Sequence, residues 1–116
     1  MDFKILTIDG EKPQYKVAGE IAGEEYIVGI FTDKQIASRI MWLCEMITSD
    51  WCYSRKKFES EYIKRKIDEA IKVGAKEDYA KSVALNLYDW LDNNCVSEYA
   101  GEDSEGLRYN RIVKKG

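Results

Sequence analysis

Arg108, Tyr109 and Arg111 place two guanidinium groups and a phenol within four residues near the C-terminus. Arginine makes bidentate contacts to phosphate and tyrosine stacks on flat rings, so this segment is a candidate clamp for a nucleotide or another phosphate-bearing ligand. A second set, Lys56, Lys57, Lys64 and Lys66, shares a basic stretch with Arg55 and Arg65. It is a candidate nucleic-acid surface, in which cations meet phosphates and the nearby Tyr53 stacks on a base. A third set joins the aromatics Trp42, Trp90 and Tyr99 to the acids Glu98, Glu102, Asp103 and Glu105. Aromatic side chains are enriched at binding hot spots, and the acidic segment would meet a basic surface on a protein partner.

Catalytic chemistry is harder to assemble. The chain has no histidine, which removes the commonest general base and the commonest metal ligand. It also removes Ser-His and Cys-His nucleophile pairs, although Ser-Lys and Thr arrangements survive. No phosphate-cradling Gly-x-x-x-x-Gly-Lys and no Gly-x-Gly-x-x-Gly is present. Tyr62 and Lys66 have the spacing of a dehydrogenase dyad but lack a dinucleotide-binding strand and loop ahead of them. Glu102 and Glu105 lie in a Gly-flanked acidic stretch without the spacing of a calcium loop. The expectation is a non-enzyme with no cofactor and no metal.

Charge is segregated within a net −3. Residues 54–76 carry eight basic and four acidic side chains. Residues 77–106 carry eight acids against Lys81 alone, and the last ten residues carry four bases and no acid. Two ion pairs at i,i+4 spacing, Glu61–Arg65 and Asp68–Lys72, are expected within the basic stretch.

Composition bounds the class. With 116 residues, 45% of them hydrophobic and 34% charged, the chain has the make-up of one folded domain and not of a disordered segment. No apolar run approaches the ~20 residues a membrane span requires, and Met1–Asp9 is too short and too acidic for a secretory signal. Three cysteines without a C-x-x-C pair fit reduced thiols in a cytoplasm. Thirteen lysines against five arginines, with abundant isoleucine, resemble the usage of a low-GC bacterial or phage genome.

These groups need elements to hold them. Phe3–Ile8, Gln14–Ile21 and Glu25–Phe31 are rich in β-formers and separated by the turns Asp9-Gly10 and Ala22-Gly23, so residues 1–31 predict a three-stranded antiparallel meander. In the third strand Tyr26, Val28 and Ile30 alternate against Ile27, Gly29 and Phe31. Residues 32–94 predict three helices. The first starts at Thr32 as N-cap with Gln35 completing a capping box, carries Ile36, Ile40, Leu43, Ile47 and Trp51, and breaks at Ser49-Asp50 or Ser54. The second carries Phe58, Tyr62, Ile67, Ala70 and Ile71 and stops at Gly74. The third runs from Glu77 to about Asp92 with Ala80, Val83, Ala84, Leu87, Tyr88 and Leu91 on its apolar face, ended by Asn93 and Asn94. Residues 95–106 predict an acidic loop, and 107–116 a closing strand or a tail.

The expected fold is thus one α+β domain with helices on one face of a sheet. The expected function is a non-catalytic interaction protein in the cytoplasm, in its narrower form a bacterial or phage inhibitor that occupies the surface of a larger host-defence enzyme. The alternatives are a nucleic-acid-binding regulator using the second helix and a phosphate-ligand protein using Arg108, Tyr109 and Arg111. A protein is the expected partner, with a homodimer as a further arrangement and no membrane.

Overall fold

A computed structural model describes residues 2–53 and 60–116. The order is β1 (Asp2–Ile8), β2 (Gln14–Ile21), β3 (Glu24–Phe31), α1 (Lys34–Tyr53), α2 (Glu61–Lys72), α3 (Glu77–Asn94), β4 (Cys95–Glu102) and β5 (Arg108–Lys114). The fold is α+β, with an antiparallel three-stranded sheet, three helices and a separate two-stranded sheet. No helix among the described residues is long and apolar enough to cross a membrane.

The first sheet has β2 at its centre, with Ile5 opposite Val17 and Phe3 opposite Gly19. The Phe3 ring lies over Gly19, where a Cβ would come within 2.7 Å of it. Between Val17 and Ala18 the register shifts, and Val28 on β3 is the residue left unpaired. This bulge reverses the alternation of β3 partway along. Tyr26, Val28 and Phe31 therefore pack on the core. Ile27 and Ile30 point outward, 54% and 56% exposed. Strict alternation had grouped Ile30 with Tyr26 and Val28; the extra residue is what moves it out.

The inner sheet face meets α1, which also packs against α2 and α3. Ile40, Leu43 and Ile47 of α1, Ile63 of α2, and Leu87, Tyr88 and Leu91 of α3 are fully buried with Val17 and Ile21. All six residues expected on the apolar face of α3 are buried. On α2 the buried set is Ile63, Ile67 and Ala70, and Tyr62 is exposed; Phe58 lies outside the described residues.

Helix ends differ in detail from expectation. Asp33, not Thr32, caps α1: its Oδ1 accepts the backbone N–H of Gln35 at 2.8 Å and of Ile36 at 3.1 Å. A carboxylate also suits the positive end of the helix dipole. The helix continues through Ser49-Asp50 because side chains there find partners that leave the backbone ladder intact. Buried Thr48 donates to the carbonyls of Cys44 and Glu45. Asp50 accepts a hydrogen bond from Tyr88, and Trp51 Nε1 donates to Asp92 at 2.8 Å. The other expected break, Ser54, is outside the described residues. Gly74 does stop α2: at φ 114° it donates to Ile71 O while Ala75 N donates to Ala70 O, the paired bonds of a Schellman end.

Residues 95–102 are not a loop. They form β4, which pairs with β5 in a hairpin, Glu98 opposite Arg111 and Glu102 opposite Arg108. Residues 95–115 carry four acids and four bases, of which Glu98 and Arg111 pair across the strands. The closing strand therefore exists, but it joins β4 and not the first sheet. Asp103 builds the turn, its Oδ1 accepting the N–H groups of Glu105 and Leu107.

Candidate functional site

The outer face of the first sheet carries two cross-strand rows. One is Lys4, Ala18 and Ile27; the other is Leu6, Lys16 and Ile30. Leu6 is half exposed, and Ile8 extends the apolar surface along β1. No helix among the described residues covers this face: α1 is the helix packed on both β1 and β2, and it lies on the inner side. Solvated faces of antiparallel sheets are ordinarily polar, so four exposed aliphatics on one face mark a surface suited to contact.

At the β2–β3 turn this face meets the C-terminal hairpin. The hairpin is seated on the last turn of α1, where the Cys52 carbonyl accepts from Ser97 Oγ at 2.7 Å and from Asn110 Nδ2 at 3.3 Å. The Tyr53 hydroxyl accepts Asn110 N–H at 3.1 Å and donates to Asn110 O at 3.3 Å. Lys114 forms an ion pair with Glu24 at the start of β3. Between sheet and hairpin lies a cleft of about 840 Å³ with Lys4, Leu6 and Ala18 on one wall and Asn110, Arg111 and Ile112 on the other. Glu20 and Glu25 stand at its margin. Among the described residues its lining has no serine, threonine or cysteine. Its described lining combines apolar side chains with charges of both signs.

The candidate residues fall in three places. Glu98, Tyr99, Glu102, Asp103 and Glu105 share the hairpin and its turn with Arg108, Tyr109 and Arg111. Glu98 Oε1 accepts from Arg111 Nε at 2.9 Å and Nη2 at 2.6 Å, so neither charge is free. Directly opposed residues of an antiparallel pair share a face; Tyr109 and Arg111 thus lie on one side of the hairpin and Arg108 on the other. The three do not converge as a clamp. Tyr99 and Leu107 are exposed apolar groups of this unit. Trp90 instead packs edge-on against Tyr26, ring centroids 5.3 Å apart, as part of the core wall. Trp42 is exposed on α1 beside Lys66 of α2. Lys64 pairs with Glu61 at 3.3 Å, in place of the expected Glu61–Arg65 pair, and Lys66 pairs with Glu69. The expected Asp68–Lys72 pair is absent among the described residues. Lys56 and Lys57 lie outside them.

Leu6, Ile8, Ile27 and Ile30 were not among the expected site residues. Their signal was present: β1 has apolar residues at both parities, Phe3 and Ile5 as well as Leu6 and Ile8, so its two faces both ask for cover.

Titratable groups near the core hold their protons. Burial pushes the Cys44 thiol up to about 12, with the Glu45 carboxylate adding to the effect. Burial raises the Tyr26 phenol to about 12 as well, and it raises Tyr79 and Cys95. None is poised as a base near neutral pH. Among the described residues no group of three or more Cys, Asp or Glu side chains could hold a metal ion.

The chain matches no protein-family model, no curated protein and no solved structure.

Proposed function

We propose that this chain is a non-catalytic protein-binding domain whose cleft, between the outer face of the first sheet and the C-terminal hairpin, receives a segment of a larger protein. The observation that carries it is the juxtaposition of that cleft with the uncovered row Leu6, Lys16 and Ile30 and the row Lys4, Ala18 and Ile27. The partner segment carries apolar side chains for the aliphatic rows and charges complementary to Lys4 and to Glu20 and Glu25. Aromatic and apolar side chains at the hairpin, Tyr99, Leu107 and Tyr109, widen the contact.

In its narrower form the partner is an enzyme of a host cell and the chain an inhibitor of bacterial or phage origin, a proposal supported by small size and lysine-rich usage. Three free, buried thiols suit work in a reducing cytoplasm.

The test compares baits. The wild-type chain and a Leu6→Asp/Ile27→Asp variant, matched for circular dichroism, are used to capture proteins from lysate, and captured candidates are titrated. A partner bound at least about tenfold more weakly by the variant, about 1.4 kcal/mol, supports the proposal. Equal binding by both baits, or no saturable partner, overturns it.

A further inference from the structure

A second surface lies on the helices, away from the cleft. The Arg39 guanidinium sits 4.6 Å above the Trp42 ring centre. The Lys66 ammonium approaches the same ring at 5.6 Å, bridging α1 to α2. One turn back on α2, Tyr62 has the Arg65 guanidinium over its ring at 5.7 Å. Residues four apart on a helix are neighbours, so Arg39, Trp42, Lys66, Tyr62 and Arg65 form one continuous strip. Trp42 is 39% exposed and Tyr62 62%.

The charge partners within this strip are uneven. Lys66 has Glu69 at 3.2 Å, and Lys64 beside it has Glu61. Arg39 and Arg65 contact aromatic rings and make no ion pair among the described residues. The chain has 21 acidic side chains for 18 basic ones, so acids are in surplus, yet among the described residues Arg39 and Arg65 meet rings and not carboxylates. A ring beneath a guanidinium holds the planar fork in place while leaving its N–H groups outward, which is the arrangement that suits phosphate.

We propose that this strip binds single-stranded nucleic acid, the phosphates meeting Arg39, Arg65 and Lys66 and the bases stacking on the exposed parts of Trp42 and Tyr62. Alternation of aromatic and cationic groups is the pattern that single strands engage. An acidic peptide would use the cations and leave the rings without a role. The strip takes Lys66 from the basic set visible in the sequence and adds Arg39, Trp42, Tyr62 and Arg65.

Fluorescence anisotropy with labelled oligothymidine and oligouridine, titrated with the full chain over a range of salt, tests this. The expected result is saturable binding whose log K falls with log salt at a slope of about −2, as three phosphate contacts give on a single strand. Arg39→Gln/Arg65→Gln, with an unchanged thermal midpoint, weakens binding at least about tenfold and flattens the slope by about 1.4. Trp42→Ala weakens binding more than Trp42→Phe, which keeps a stacking ring. Absence of binding at low salt overturns the proposal. So does equal loss in an Arg108→Gln control, or tighter binding of a labelled polyglutamate than of either oligonucleotide. The cleft variant Leu6→Asp/Ile27→Asp binds the oligonucleotides as the wild type does, which separates this surface from the docking cleft.

Discussion

Cys44 and Tyr26 hold protons that their unfolded counterparts would release. Burial raises the thiol and the phenol, each to about 12. A group whose pKa is higher in the folded state contributes stability that is complete below its unfolded pKa and lost as pH climbs toward the folded value. The window therefore opens near pH 9.0 for the thiol and 10.0 for the phenol and extends to about 12. Urea midpoints are expected to hold steady through about pH 8 and fall steadily to about pH 11. Cys44→Ala should make that fall shallower, because one of the linked protons is gone. A wild-type midpoint that is flat across the range would show that neither group is buried as described.

At the scale of elements, the ends of α1 separate two ways of starting a helix. Asp33→Ala removes a carboxylate that accepts two backbone N–H groups, and a lost N-cap costs about 1 kcal/mol. Thermal unfolding should shift by about 4 °C for a chain of this size, whereas Thr32→Ala should barely move it. The reverse ranking would return the cap to Thr32. Most elements were legible beforehand: β2 and the apolar face of α3 follow from spacing alone, and Gly74 from its conformational freedom. What was hidden depends on contacts distant in sequence. The bulge at Val28 arises in pairing with β2, and no local pattern announces it. Cys95–Glu102 has the composition of a loop until β5 lies opposite it, with Arg111 paired to Glu98. The cleft was invisible for the same reason, since its walls come from opposite ends of the chain. Its aliphatic rows were readable as two-sided apolarity in β1, but alternation draws the eye to the inner face first.

For the molecule as a whole, the three thiols are all buried but sit under different elements. Cys44 is inside the helix–sheet core. Cys52 lies under the hairpin with its Sγ 3.5 Å from Ser97 Oγ, and Cys95 is the first residue of β4. The hairpin is built from neighbouring residues and attached by a few hydrogen bonds, the Lys114–Glu24 ion pair and the packing of Cys95 and Ile112, fewer ties than hold the helices, so it is expected to open more readily than the core. Single-cysteine variants challenged with a thiol reagent under native conditions should therefore label at Cys52 and Cys95 well before Cys44. Equal rates at all three positions would mean that hairpin and core open together. The Cys52 carbonyl, which accepts from both Ser97 and Asn110, then has a temporal meaning. With the Tyr53–Asn110 bonds and the Lys114–Glu24 ion pair it latches one wall of the cleft, and on the proposed binding role the frequency with which these contacts release together would set a ceiling on how often that wall reshapes around a partner.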